Sequence, residues 1–158
     1  MFRIFFFTAA IYFYSQASLA TKTFIFLGDS LTEGYGVAQN AAFPQLIQEK
    51  IKKDKLDWKI ISSGSSGSTS ASTLSRLKWI SKDKPDYVFI LMGSNDALRG
   101  LKPEETEKNL AAAIKWAQEN KIKIILDQLN APPNYGPEYF KKFAAIYQKK
   151  KKKYKIEL

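Results

Sequence analysis

Three polar clusters hold the residue types that acyl chemistry needs. The first is Gly28-Asp29-Ser30-Leu31-Thr32-Glu33-Gly34-Tyr35-Gly36. A serine on a tight turn exposes its hydroxyl and points its backbone N–H the same way. That suits both a nucleophile and an oxyanion donor. The second cluster is Gly67-Ser68-Thr69-Ser70, where the glycine permits close backbone approach to a ligand. The third is Gly93-Ser94-Asn95-Asp96, whose asparagine amide can donate to a developing oxyanion. Taken singly, each has an ordinary explanation. Gly-Asp-Ser is a common helix N-cap, Gly67 a turn and Asn95 an Asx-turn. The conjunction is far more specific, because all three follow apolar runs in this order.

Those runs are the elements that must position the clusters. Thr23 to Leu27, Trp58 to Ser62, Tyr87 to Met92 and Lys121 to Leu126 read as strands. The third is almost continuously apolar, as expected for a strand covered on both faces. Helices are predicted between them. One spans Phe43 to Lys53, with Phe43, Leu46, Ile47 and Ile51 on its apolar face. A second is marked by Leu74, Leu77, Trp79 and Ile80. A third runs from Pro103 to about Glu119, with Glu104 and Glu105 in its first turn. After a loop at Ala131 to Gly136, a fourth runs from Glu138 to about Lys153 on Phe140, Phe143, Ala144 and Tyr147. Tyr154 to Leu158 reads as the opening of a fifth strand. Strands alternating with helices predict βαβ units and a parallel sheet, an α/β fold with helices on both faces. Ligands of such sheets bind at the carboxyl ends of the strands, where the clusters lie.

The three clusters resemble the first three sequence blocks of the SGNH/GDSL hydrolases. Three further features resemble the thioesterase, lysophospholipase and arylesterase branch of that family. They are Glu33-Gly34-Tyr35-Gly36, Leu98-Arg99-Gly100, and Pro132-Pro133-Asn134-Tyr135-Gly136 before an aromatic-rich helix. The resemblance runs from about Thr23 to Leu158. It implies a flavodoxin-like three-layer α/β/α sandwich and hydrolysis of acyl esters, thioesters or lysophospholipids through an acyl-serine. Ser30 would be the nucleophile. Its N–H, the Gly67 N–H and the Asn95 amide would form the oxyanion hole. Asp29 and Asp96 would be structural supports. Leu98, Arg99, Asn134 and Tyr135 would contribute to the acyl groove. A small acyl ester or lipid is the expected substrate, with no cofactor and no metal, and a monomer is expected. A weaker option is deacetylation of glycans.

One expected feature has no counterpart. The family's fourth block is an Asp-x-x-His, and the chain contains no histidine. Asp96 and Asp127 are poor substitutes, because a carboxylate titrating near 4 is mismatched to a serine hydroxyl. The resemblance therefore predicts a domain over residues 21–158 that lacks a final strand, a catalytic-histidine loop and a closing helix. One sheet face and one edge would be uncovered, and activity would be impaired. An incomplete copy of an active hydrolase is the favoured expectation. A non-catalytic acyl- or glycan-binding pseudo-enzyme is the alternative, and a histidine donated by a partner chain is a third.

Composition narrows the setting. The 158 residues suffice for one domain, and 45 % hydrophobic content argues against wholesale disorder. No cysteine means no disulfide framework. Met1 to Ala20 has a basic start, a short apolar run and Ser18-Leu19-Ala20, the pattern of a signal peptide cleaved after Ala20. A periplasmic or secreted location is expected. The net charge of +10 owes much to Lys149 to Lys153. No stacking platform or nucleic-acid motif accompanies these lysines, so nucleic acid is not an expected partner. They are read as a solvated helix face, with weak peripheral contact to an anionic membrane as the functional option.

Overall fold

The computed structural model describes residues 21–158, so the expected leader Met1–Ala20 lies outside the described residues. The four apolar runs form strands β1 (Lys22–Gly28), β2 (Trp58–Gly64), β3 (Tyr87–Leu91) and β4 (Lys123–Leu126). All neighbours pair in parallel, in the order β2-β1-β3-β4. The helices are α1 (Ser30–Glu33), α2 (Phe43–Lys53), α3 (Thr73–Ile80), α4 (Ser94–Leu98), α5 (Pro103–Glu119) and α6 (Gly136–Tyr154). The chain leaves β1 for β2 on one side and reaches β3 on the other. The sheet therefore changes winding direction at β1, which creates a crevice at the carboxyl ends.

Strand alternation divides the side chains between two faces. Ile25, Leu27, Val88, Ile90 and Leu126 are buried against α3, α5 and α6. On the opposite face Phe24, Phe26 and Phe89 form an aromatic band, and Phe43 of α2 meets Phe26 edge-on at 5.1 Å. Helices on both faces make three layers, as expected. On the aromatic face α2 covers part of the sheet, beside the short α1 over the end of β2. It leaves an open apolar cleft of about 470 Å³ lined by Ile47, Ile51, Ile60, Phe89 and Ile125. Trp58 and Leu56 on its rim are correspondingly 38 % and 52 % exposed.

Several expectations are corrected. Trp79 is 67 % exposed, not part of the apolar face of α3. Leu77 and Ile80, three apart, already face the core. A residue two positions after Leu77 points away from it. Helix α6 begins at Gly136, before Glu138, and β4 begins at Lys123 because Lys121 takes a left-handed φ of 60° in the turn after α5. The expected fifth strand is a single parallel bridge from Glu157 to Ile125. The short helices α1 and α4 were not anticipated as helices. Lys150 also departs from the solvated face assigned to it. It is 4 % exposed and bonds Glu107 at 3.0 Å, with its ammonium over the Tyr154 ring. Burial alone would raise the Glu107 pKa. The Lys150 hydrogen bond and the charges of Lys150 and Lys149 outweigh that and hold it below the usual range.

Two consequences are measurable by urea unfolding. Leu110 is fully buried and Trp79 is not. Leu110→Ala should cost about 2–5 kcal/mol, whereas Trp79→Ala should stay within about 0.5 kcal/mol. Because the folded Glu107 carboxyl titrates below its unfolded counterpart, its contribution is present above the unfolded value of about 4.3 and is lost as pH falls through the folded value. Glu107→Gln should lower the unfolding midpoint at neutral pH, and the difference from the parent should vanish in acid.

Candidate active site

The parallel register brings the clusters level. Gly28, the last residue of β1, pairs with Gly64 of β2 and Leu91 of β3. Each polar cluster therefore leaves the sheet at the same height and on adjacent strands. After β1 the chain turns into α1. Asp29 caps this helix, its carboxylate accepting from the Leu31 N–H at 3.0 Å. The N-cap explanation and the catalytic one are thus compatible, because the cap is what presents Ser30 as the first helical residue. Among the described residues neither the Ser30 hydroxyl nor its backbone N–H has a hydrogen-bond partner. Asp29 is 1 % exposed, and its second oxygen accepts from the Ser94 hydroxyl, which ties the first cluster to the third.

The second cluster is a loop stretched between the other two. Gly67 sits at φ +75°, which L side chains rarely adopt, so the glycine is demanded by backbone conformation. Its N–H has no acceptor among the described residues. The Asn95 amide donates to the Ser68 carbonyl at 3.0 Å. That bond uses one of its two N–H groups and leaves the other to donate elsewhere. Asp96 is 2 % exposed and points away from the crevice into the protein. It accepts from the Ser70 N–H at 2.8 Å, the Ser70 hydroxyl, and the Thr106 hydroxyl at 3.0 Å. It anchors the second cluster and α5 to the third.

The groove residues divide. Arg99 donates to the Gly67 carbonyl at 2.9 Å, and the Tyr135 hydroxyl donates to the Leu98 carbonyl at 2.9 Å. Leu98 is 62 % exposed beside them. Asn134 is exposed in a 3-10 turn (Pro133–Tyr135), and its side chain makes no hydrogen bond among the described residues. Asp127 follows β4, where burial raises its carboxyl pKa.

Two residues of this assembly went unnoticed in the sequence. Arg76 of α3 donates to the Gly28 carbonyl at 2.9 Å and to the Ser63 carbonyl, fastening the ends of β1 and β2 together. Burial lowers its pKa, against the charges of Asp29 and Glu33. A signal existed, since Arg76 is one of three arginines among 25 basic residues. Arginine supplies a planar fork that lysine cannot. Gly64 is the other. A Cβ there would collide with the backbone of Thr32 and Glu33, so α1 can lie on β2 only over a glycine.

The neighbouring strand ends thus carry a serine hydroxyl and backbone donors without partners among the described residues. The profile of the GDSL-like lipase/acylhydrolase family matches residues 26–158. The chain belongs to that family. Esterase TesA of Pseudomonas aeruginosa is 33 % identical over 129 residues, covering 81 % of this chain and 64 % of the relative. Thioesterase 1/protease 1/lysophospholipase L1 of Escherichia coli K12 is 34 % identical, covering 88 % of this chain and 66 % of the relative. The GDSL-family chain thus spans about two thirds of the length of these relatives. Among solved structures, the SGNH-hydrolase family esterase AlinE4 superposes with a TM-score of 0.83 at 35 % identity, over 87 % of this chain and 75 % of that one. The α/β fold expected from the sequence is therefore that of SGNH-hydrolase esterases.

The close approach at Gly64 gives this GDSL-family chain a structural test. Gly64→Ala should destabilise it by about 1–3 kcal/mol through overpacking against backbone that cannot yield. The largest amide shifts in a two-dimensional NMR spectrum should fall at Thr32 and Glu33, not in α5 or α6.

Proposed function

We propose that the site performs serine-ester chemistry on small acyl substrates, with Ser30 as nucleophile. What supports this reading is that the Ser30 hydroxyl and N–H and the Gly67 N–H are unpartnered, that one Asn95 amide N–H is spare, and that the strands leading to them end level. In this mechanism the Ser30 oxygen attacks the ester carbonyl. The carbonyl oxygen gains negative charge as the tetrahedral intermediate forms, and the donors stabilise it. Collapse expels the alcohol or thiol and leaves an acyl-serine, which water hydrolyses. Asp29 and Asp96 hold the frame, and Leu98, Arg99 and Tyr135 flank the acyl group. Substrates of the ester, thioester and lysophospholipid classes follow from the names of the relatives.

No histidine occurs in the 158 residues, so this chain supplies the nucleophile and oxyanion half of the reaction. Without a base, acylation by an unactivated ester is slow, and the acyl-serine is slow to hydrolyse. The remaining machinery would supply on the order of 10³–10⁴ over water, as serine hydrolases stripped of a triad member retain. The signal-peptide pattern of Met1–Ala20 in the sequence supports export. No helix among the described residues is long and apolar enough to cross a membrane. The exposed Lys151, Lys152 and Lys153 of α6 favour weak contact with an anionic lipid surface, whereas the buried Lys150 takes no part.

The test is accumulation of the intermediate. Incubated with p-nitrophenyl butyrate, the protein should gain one butyryl group, located by peptide mass spectrometry on the segment containing Ser30. Ser30→Ala should gain none. Equal labelling of the two would overturn the assignment of the nucleophile. Ester binding without any adduct would favour the non-catalytic binding protein.

A further inference from the structure

We propose that Glu33 and Arg99 are positioning residues that fix the Gly67 peptide, gripping its loop from the two sides. The proposal rests on the serine-ester reading and deepens it. The loop from Ser65 to Ser68 carries the oxyanion donor least supported by regular structure. Ser30 is held at the start of a helix and Asn95 lies within one, whereas Gly67 belongs to neither helix nor strand. Its left-handed φ is a shallow preference that glycine can leave at little cost. The loop's own turn bond, from the Ser68 N–H to the Ser65 carbonyl, is long at 3.2 Å, so contacts from outside the loop help to set the direction of the Gly67 N–H.

Two charged side chains do so. The Glu33 carboxylate accepts from the Ser66 N–H at 2.7 Å and from the Ser66 hydroxyl. It thereby fixes the residue before Gly67 to the helix that begins with Ser30. The Arg99 guanidinium donates to the Gly67 carbonyl at 2.9 Å, from the far end of the helix that holds Asn95. A Cβ on Gly67 would meet only the Arg99 guanidinium within 4 Å, so no packing restrains the loop at this point. Its orientation depends on these charge-assisted bonds, on the Asn95 contact to Ser68 and on the turn bond from the Ser68 N–H to the Ser65 carbonyl. The three oxyanion donors are thus tied into one unit, with Glu33 joining the first to the second and Arg99 joining the second to the third. Both charged residues are exposed, which leaves each free to be altered without opening the core.

The test reads the loop and the oxyanion hole separately. Butylboronic acid serves as the probe. Its boron accepts the Ser30 oxygen, the serine proton passes to buffer, and the product is a tetrahedral boronate anion resembling the intermediate. Glu33→Gln and Arg99→Ala should each weaken boronate affinity on the order of tenfold, the value of one charge-assisted hydrogen bond, with unchanged thermal midpoints. Arg99→Lys, which keeps a donor, should recover part of the loss. In the free protein, ¹⁵N relaxation should show Gly67 more mobile in Glu33→Gln and Arg99→Ala than in the parent. Unchanged Gly67 mobility together with unchanged boronate affinity in both variants would overturn the proposal. If Gly67 loosens as expected but the parent takes no boronate at Ser30, the positioning role stands and the serine-ester reading falls.

Discussion

The ladder that sets Gly28, Gly64 and Leu91 side by side governs everything above it. In a parallel sheet no hairpin fixes register; the pattern of buried side chains must do so. Here the burial of Ile25 and Leu27 against Val88 and Ile90 disfavours a slip by one residue, which would turn one strand's buried side chains to the opposite face of its neighbour's. The clusters need no shared sequence neighbourhood. They meet because three strands end at one height.

Two buried carboxylates sit directly above that ladder, and each would be costly if left unpaired. Asp29 spends its oxygens on the turn that presents Ser30 and on the Ser94 hydroxyl. Asp96 spends its own on Ser70 and Thr106. Arg76 adds a half-buried positive charge near Asp29 while bonding the ends of β1 and β2. The same charges that demand compensation thereby crosslink the three loops. Removing one partner would leave a desolvated charge, so the frame resists piecemeal loosening.

Most of the frame was legible in the sequence. Tyr87 to Leu91 declared itself by an unbroken apolar run, α2 by its apolar periodicity, and α5 by Pro103 and an acidic first turn. The residues of the candidate site were legible because a serine, a glycine and an asparagine each followed a strand. What escaped was tertiary. The helices α1 and α4 are four and five residues long, too short to show a period. Trp79 and Lys150 looked like their residue types, yet one lies in solvent and the other in a pairing site that only the packing of α6 on α5 creates. Gly64 resembled any strand-end glycine, since its necessity comes from a helix thirty residues earlier in the chain.

The strand order has a kinetic side. Every ladder joins distant residues, with β1 to β2 and β3 to β4 separated by 36 positions and β1 to β3 by 63. Among the described residues the first strand to leave the ribosome is thus an interior one, and its second neighbour, β3, follows only after β2 and α3. Until then the segment Phe24-Ile25-Phe26-Leu27 is an apolar stretch with open hydrogen-bonding groups on one side at least. Non-local pairing of this kind folds slowly and exposes such stretches to association. A chain of this topology depends on whatever shelters β1 during synthesis, and for that interval its yield is decided by time and not by final stability.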